Sequence, residues 1–118
     1  MAADFGIDDK PLAGRGAHLV AVTGEIDLFT APEFKARVSA PIDAGATRVV
    51  VDLGRATAVD SSSLGVLIGA HRRLALREGE LIVVCDNPAI VKTFETTGLD
   101  GVLTLVATLD EDAVAAGG

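Results

Sequence analysis

Two short apolar runs, each followed by the start of a helix, constrain the fold of this chain more than any other feature. The first run is Arg48–Leu53 (RVVVDL) and the second is Glu80–Cys85 (ELIVVC). Continuous runs rich in β-branched residues are typical of strands covered on both faces of a parallel sheet. Because parallel neighbours need a crossover connection, the helical pattern between the two runs predicts a strand–helix–strand unit.

The first helix is predicted between Thr30 and Gly45. Thr30 and Glu33 have the spacing of a capping box, in which each side chain satisfies a backbone N–H near the helix start. Phe29 and Phe34 have the spacing of a hydrophobic staple, which fixes the angle at which the chain enters the helix. Both signals predict a helix that begins directly after Thr30.

The other predicted elements complete an alternation of strands and helices. They are an N-terminal edge strand ending near Pro11, strands at 18–23 and 102–106, a turn-like segment at 54–59, helices at 60–78 and 88–98, and a short C-terminal helix beginning near Thr108. This order predicts an α/β fold with a mixed, largely parallel β-sheet and about four helices packed on it. A length of 118 residues suits one domain, which we assign to residues 1–118.

The charge balance and residue content exclude several classes of function. Seventeen acidic and ten basic side chains give a net charge of −7, so we expect no nucleic-acid binding and no direct membrane contact. The N-terminus lacks the pattern of a signal peptide, which predicts a cytoplasmic protein. Two histidines and the single Cys85 are far apart in sequence, so we expect neither a metal nor a cofactor. Cys85 itself is typical of a small buried apolar residue.

The most informative segment is Asp60-Ser61-Ser62-Ser63, at the predicted start of the second helix. A helix N-terminus carries unpaired N–H donors that favour anions, so first-turn amides could hold a phosphate on Ser61. That phosphate would bring nearly two negative charges beside Asp60. The fold tolerates such a charge, whereas a docked partner would have to desolvate it, which is the asymmetry a switch requires. The same residues also suit an ordinary helix cap, and local chemistry leaves open which serine would accept the phosphate.

Three blocks of the sequence resemble signatures of the bacterial anti-sigma factor antagonists, a family with the STAS fold. The blocks are Gly24-Glu25-Ile26-Asp27, then Val59–Leu67 (VDSSSLGVL), then Val83–Cys85 followed by 87–88 and 94–99. They occur in the family's order and spacing from about Leu19 to Leu105. The chain is therefore similar to this family over nearly its whole length.

The resemblance implies a mechanism of partner switching. A cognate anti-sigma factor, itself a serine kinase, would bind the unphosphorylated chain and so release a sigma factor. Phosphorylation of Ser61, the serine directly after the aspartate, would end that interaction, and a metal-dependent serine phosphatase would reset it. Ser62 and Ser63 rank after Ser61 as acceptors. The family usually has glycine where this chain has Ser63, so this chain offers a third hydroxyl that could compete as acceptor. The implied partner-binding residues are Asp27, Asp60, Ser61, Ser62, Ser63 and Gly65.

Two of these residues have equally good structural interpretations. Asp27 could cap a turn as well as contact a partner. Gly65 and Gly69 lie on one face of the second helix, where glycine permits close approach of another backbone. That backbone could belong to the domain's own sheet or to a partner.

Two other functions fit parts of the sequence. A serine at a strand-to-helix turn suggests a hydrolase, but the chain lacks Gly-x-Ser-x-Gly, so we expect no enzyme activity. STAS domains also serve as accessory subunits of membrane transport systems or of stress-signalling assemblies. Those versions often lack the aspartate–serine pair, which this chain retains at Asp60 and Ser61.

Overall fold

A computed structural model describes residues 5–12 and 16–109 as strands and helices in alternation. The elements are β1 (Gly6–Pro11), β2 (Ala17–Ile26), α1 (Ala31–Asp43), β3 (Arg48–Val59), α2 (Ser61–Ala75), β4 (Glu80–Val84), α3 (Pro88–Thr97), a 3-10 turn (Leu99–Gly101) and β5 (Thr104–Val106). The described residues thus contain three α-helices. The fourth predicted helix begins near Thr108, and the part of it at 110–118 lies outside the described residues.

The five strands form one sheet in the order β1-β2-β3-β4-β5. β1 is antiparallel to β2, and each later strand is parallel to its neighbour. The predicted mixed, largely parallel sheet is confirmed. The predicted N-terminal edge strand does form: β1 ends at Pro11 and lies at the edge of the sheet. Proline has no backbone N–H to donate, and an edge strand tolerates this because one of its sides has no neighbouring strand.

The buried runs behave as predicted, because both faces of the sheet are covered. Val49, Val50 and Val51 have no exposed surface, although neighbouring side chains of a strand point to opposite faces. The larger core lies between the sheet and α1, α2 and α3, and includes Val49 and Val51. Val50 belongs to a smaller apolar cluster on the other face, with Leu12, Leu19, Ile82 and Val84. All three helices therefore pack on one face of the sheet.

The turn predicted at 54–59 is wrong, because β3 continues to Val59. β2 extends to Ile26 and pairs with this part of β3 up to the partners Ile26 and Val59. The register shifts twice along the pair, so β3 accommodates extra residues, as β-bulges do. The first shift lies next to Gly54, whose N–H donates to Asp52 Oδ1 at 2.8 Å. A bulge bends the strand and changes the direction in which the following side chains point. After the two register shifts, β3 ends at Val59 and α2 begins at Ser61.

The second helix is shorter than predicted and ends at Ala75 rather than near Glu78. Glu78 has a φ of 58°, in the left-handed region that ends helices. The Gly79 N–H then donates to the Leu74 carbonyl at 2.7 Å. The chain turns there directly into β4.

Candidate phosphoacceptor and partner-docking site

The start of α2 is fixed by a reciprocal capping box between Asp60 and Ser63. Asp60 has an extended backbone, and its Oδ1 accepts the N–H groups of Ser62 at 2.9 Å and Ser63 at 3.2 Å. In return, Ser63 Oγ accepts the Asp60 N–H at 3.0 Å and donates to the Asp60 carbonyl at 2.7 Å. The ordinary helix cap, which the sequence left as one alternative, is therefore present. Asp60 and Ser63 together form it.

The three serines differ sharply in accessibility. Ser63 is completely buried, and its hydroxyl both accepts and donates a hydrogen bond within the cap. Ser62 is half-buried, whereas Ser61 is exposed. An enzyme can approach the Ser61 hydroxyl without disturbing the helix start. The structure therefore distinguishes three hydroxyls that the sequence left equivalent, and Ser61 is the exposed one.

The predicted phosphate cradle is largely occupied already. The first-turn N–H groups of a helix have no carbonyl partner within the helix. Here the Asp60 carboxylate accepts two of them, those of Ser62 and Ser63. A phosphate on Ser61 would have to displace this carboxylate or stay at the surface beside it. The arrangement favours a surface phosphate close to a fixed negative charge.

Asp27 organises the loop that follows β2. Its Oδ1 accepts the N–H groups of Phe29 at 2.9 Å and Thr30 at 3.0 Å. Its own N–H donates to Thr30 Oγ1 at 2.8 Å, and its carbonyl accepts the Ala31 N–H at 2.8 Å. The turn-capping interpretation of Asp27 thus describes what the residue does in the fold. A contact with a partner is compatible with this role, since Asp27 remains partly exposed.

The capping box and staple predicted at the start of α1 are both wrong. Thr30 has a helical backbone and makes no side-chain cap, because its hydroxyl bonds to Asp27 instead. Phe29 is 88 % exposed, whereas Phe34 is fully buried, so the two rings do not form a staple. Asp27 accepts the Thr30 N–H, which the predicted capping box assigned to Glu33. Sequence spacing alone does not reveal this competition.

Loop 27–30 and the start of α2 lie side by side. They follow β2 and β3, whose last residues, Ile26 and Val59, are paired in the sheet. Since both strands are parallel, Asp27 and Asp60 leave the same edge of the sheet at neighbouring positions. The structure therefore brings together two of the predicted blocks, which are more than thirty residues apart in the sequence.

Gly65 and Gly69 line a groove between α1 and α2, not the sheet. Both are exposed, and a methyl group added at either position meets no atom within 4 Å. The groove has a volume of about 480 Å³, and its wall includes Ser62 together with two basic residues, Lys35 and Arg73. Arg73 is also hydrogen-bonded to Asp43. The interpretation in which these glycines pack on the domain's own sheet is therefore wrong.

Neither histidine supports the hydrolase alternative within the described residues. His18 Nε2 lies 3.0 Å from Asp9 Oδ2, at the end of the sheet opposite to Ser61. Hydrogen bonds from His18 and then Arg37 hold the pKa of the Asp9 carboxyl below its ordinary value. His71 lies on α2 and has no hydrogen bond to a serine in the part of the chain described. Neither histidine is therefore hydrogen-bonded to Ser61 as an activating base would be.

Cys85 is buried at the end of β4, as the sequence indicated, and burial raises the pKa of its thiol. Over residues 5–12 and 16–109, no group of three or more His, Cys, Asp or Glu side chains is arranged to hold a metal ion. In the same part of the chain, no helix has the length and apolar character needed to cross a membrane.

Over the described residues, the protein is a small α/β module with one sheet, three α-helices on one face of it, and an exposed serine beside the cap of α2. A family model described as the STAS domain matches residues 13–112. An anti-sigma-B factor antagonist from Listeria monocytogenes is 31% identical over 86 residues, which cover 73% of this chain and 75% of the relative. The chain therefore belongs to the STAS-domain family of anti-sigma factor antagonists.

Solved structures agree with this assignment. The crystal structure of an anti-sigma factor antagonist from Mycobacterium paratuberculosis is 29% identical, with a TM-score of 0.84 over 97% of this chain and 98% of that one. The phosphorylated form of SpoIIAA, a cell fate determinant from Bacillus, is 25% identical, with a TM-score of 0.68 over 94% of this chain and 96% of that one. The predicted STAS fold and family are confirmed.

Proposed function

We propose that this chain binds an anti-sigma factor when Ser61 is unphosphorylated and is switched off when an anti-sigma serine kinase phosphorylates Ser61. One observation carries the proposal. Ser61 is exposed beside a carboxylate that the cap holds in place, whereas Ser63 is sealed within that cap. A charge added at Ser61 therefore alters the surface without breaking the helix start.

The energetic basis is desolvation. A phosphoserine carries about −1.5 to −2 charges at neutral pH. A partner that covers Ser61 would remove water from that charge while Asp60 stays close by, and burying like charges together is costly. SpoIIAA retains this fold in its phosphorylated form, which supports a fold that survives the modification. The modification then acts on an interface alone.

The docking surface is proposed to comprise Asp27, Asp60, Ser61, Ser62 and Gly65, with Ser63 acting from beneath as part of the cap. The exposed hydroxyl of Ser61 would also be accessible to the serine phosphatase that resets the switch. A protein that acts on sigma factors in this way works in the cytoplasm, where transcription takes place. Binding, rather than catalysis, is the proposed activity of the chain.

The direct test is to phosphorylate the purified chain with the anti-sigma kinase of the same organism, ATP and Mg²⁺, and to map the phosphate by tandem mass spectrometry. We expect phosphate on Ser61 and none on Ser63, which has no exposed surface. Ser62→Ala is the matched control and should accept phosphate as the wild type does. Phosphate confined to Ser62 or Ser63 would show that the acceptor is wrongly assigned.

A second test separates docking on α2 from a purely structural role of its glycines. Gly65→Ala is expected to stabilise the fold by about 0.5–1 kcal/mol, since alanine favours helix interiors and the added methyl group meets no atom within 4 Å. If a partner backbone lies against this face, the same change should weaken binding of the anti-sigma factor by about tenfold.

Urea unfolding and a binding titration measure the two effects separately. Gly101→Ala is the control for binding, because Gly101 also has open space around it but precedes β5 at the opposite end of the sheet. Unchanged binding by Gly65→Ala would remove Gly65 from the docking surface.

A further inference from the structure

The loop between β2 and α1 exposes two large apolar side chains next to each other. Leu28 is 68 % exposed and Phe29 is 88 % exposed. Among the described residues, the other large apolar side chains with comparable exposure are Leu76 and Val102. Neither of these has another large exposed apolar side chain next to it in sequence. Leu28 and Phe29, which we call the apolar pair, are therefore the largest contiguous apolar feature of this loop.

The apolar pair is exposed by a well-formed turn. The Asp27 carboxylate accepts the N–H groups of Phe29 and Thr30 at 2.9 Å and 3.0 Å. The Asp27 carbonyl accepts the Ala31 N–H at 2.8 Å, which ties the turn to the first residue of α1. These bonds fix the backbone on both sides of Phe29. A preorganised loop loses little conformational entropy when a partner covers it, so its side chains suit a binding anchor.

The position of the apolar pair joins it to the site at Ser61. Loop 27–30 follows Ile26, whose partner in the sheet is Val59, and Val59 is followed by Asp60 and Ser61. Leu76 and Val102 lie elsewhere, because they precede β4 and β5 at the other end of the sheet. A partner that covers Ser61 thus meets the apolar pair at the same edge.

The charges around the apolar pair indicate the chemistry of its partner. Glu25 and Glu33 are exposed on either side of the loop, and Asp27 is partly exposed within it. A complementary surface has an apolar pocket with a basic rim. A second copy of this chain fits poorly, because it carries a net charge of −7 and would place acidic rims against each other.

We propose that Leu28 and Phe29 anchor this chain in an apolar pocket with a basic rim on the anti-sigma factor, separately from the charge-gated contact at Ser61. The proposal rests on the proposed function for the identity of the partner. It assigns affinity and partner choice to the apolar pair, and it assigns the on–off control to Ser61. Aromatic residues, phenylalanine among them, are enriched in the buried cores of interfaces, which fits Phe29.

The test uses the purified anti-sigma factor of the same organism and isothermal titration of wild type, Phe29→Ala and the double variant Leu28→Ala/Phe29→Ala. We expect the double variant to bind about 10- to 100-fold more weakly, as loss of an aromatic anchor does. Leu76→Ala is the matched control, since Leu76 is 90 % exposed at the other end of the sheet, and it should bind like wild type. Thermal unfolding should be unchanged in all three variants.

Combining the double variant with Ser61→Asp tests the separation of roles. If the apolar contact and the charge act independently, the two losses multiply. Equal binding by wild type and the double variant would overturn the anchor while leaving the proposed function intact. No binding of the anti-sigma factor by wild type would overturn both. A wild-type dimer that the double variant breaks would show that the apolar pair covers a second copy, which would also overturn the proposal.

Discussion

Ser61→Asp is expected to weaken binding of the anti-sigma factor by about 30- to 100-fold, whereas Ser61→Ala should bind as the wild type does. The aspartate places a second carboxylate beside Asp60, whose own carboxylate is held by the N–H groups of Ser62 and Ser63. Because Asp60 cannot turn away without losing the cap, a docked partner would enclose two like charges. Juxtaposed like charges in an interface cost several kcal/mol, which gives the expected loss of affinity.

Charge and size are separated by the neutral isostere Ser61→Asn. Asparagine has the shape of aspartate without its charge, so Ser61→Asn should bind much closer to wild type than Ser61→Asp does. The affinities can be measured with immobilised anti-sigma factor at two salt concentrations. Equal weakening by both variants would mean that bulk rather than charge at Ser61 blocks binding.

Ser61→Ala also tests the kinase step. It should bind the kinase but accept no phosphate, even though Ser62 and Ser63 remain, because Ser63 is buried and Ser62 is half-buried. It should therefore stay bound after ATP is added. Equal binding by wild type, Ser61→Ala and Ser61→Asp would show that Ser61 does not control the interaction.

The sequence predicted elements well wherever one signal acted alone. The runs at 48–53 and 80–85 predicted buried strands, and Val49, Val50 and Val51 are fully buried. The third helix was predicted from a cap, a proline and a terminal glycine. Asn87 does accept the Ala89 N–H at 3.0 Å, and Gly98 has a φ of 77°. Nothing else in the local sequence competes for these positions.

Prediction failed where two local signals competed or where a distant strand decided the outcome. Thr30 has the side chain of a cap residue, but the Asp27 carboxylate accepts the Thr30 N–H and the Asp27 N–H donates to the threonine hydroxyl. Residues 54–59 contain glycine, arginine and alanines, which look like a turn. They form strand because β2 pairs with them up to Val59, and no local pattern records that pairing.

The site was predictable in position but not in detail. The sequence placed the candidate site at the Asp60–Ser61 pair after a buried strand, and the helix cap that it left as one alternative is present. The choice among the serines depends on burial: the first turn of α2 places Ser63 in contact with the core and leaves Ser61 in solvent. Leu28 and Phe29 were missed as surface residues because the staple pattern assigned Phe29 to packing. The one signal in the sequence was that two apolar residues directly follow Asp27 and precede the first residue of the helical pattern.

Phe34→Ala is expected to destabilise the fold by about 3–5 kcal/mol, whereas Phe29→Ala should change its stability by less than about 0.5 kcal/mol. The two rings have the spacing of a staple, but the structure gives them opposite environments. Phe34 is fully buried in the core beneath α1 and α2, so its removal leaves a cavity that the packed helices fill only in part. Phe29 is 88 % exposed and loses no comparable contact.

Urea unfolding of both variants measures this difference, with Phe94→Ala as a second buried control, since Phe94 is also fully buried. A loss of 3–5 kcal/mol is a large part of the roughly 5–15 kcal/mol that stabilises a typical domain, so Phe34→Ala should unfold at much lower urea. Similar losses from Phe29→Ala and Phe34→Ala would mean that the rings do pack together in solution. Phe29 would then be unavailable to a partner. A large difference would show that the Phe29 ring is free to contact a partner. A loss of affinity in Phe29→Ala could then be assigned to the lost contact, because the variant keeps the stability of the wild type.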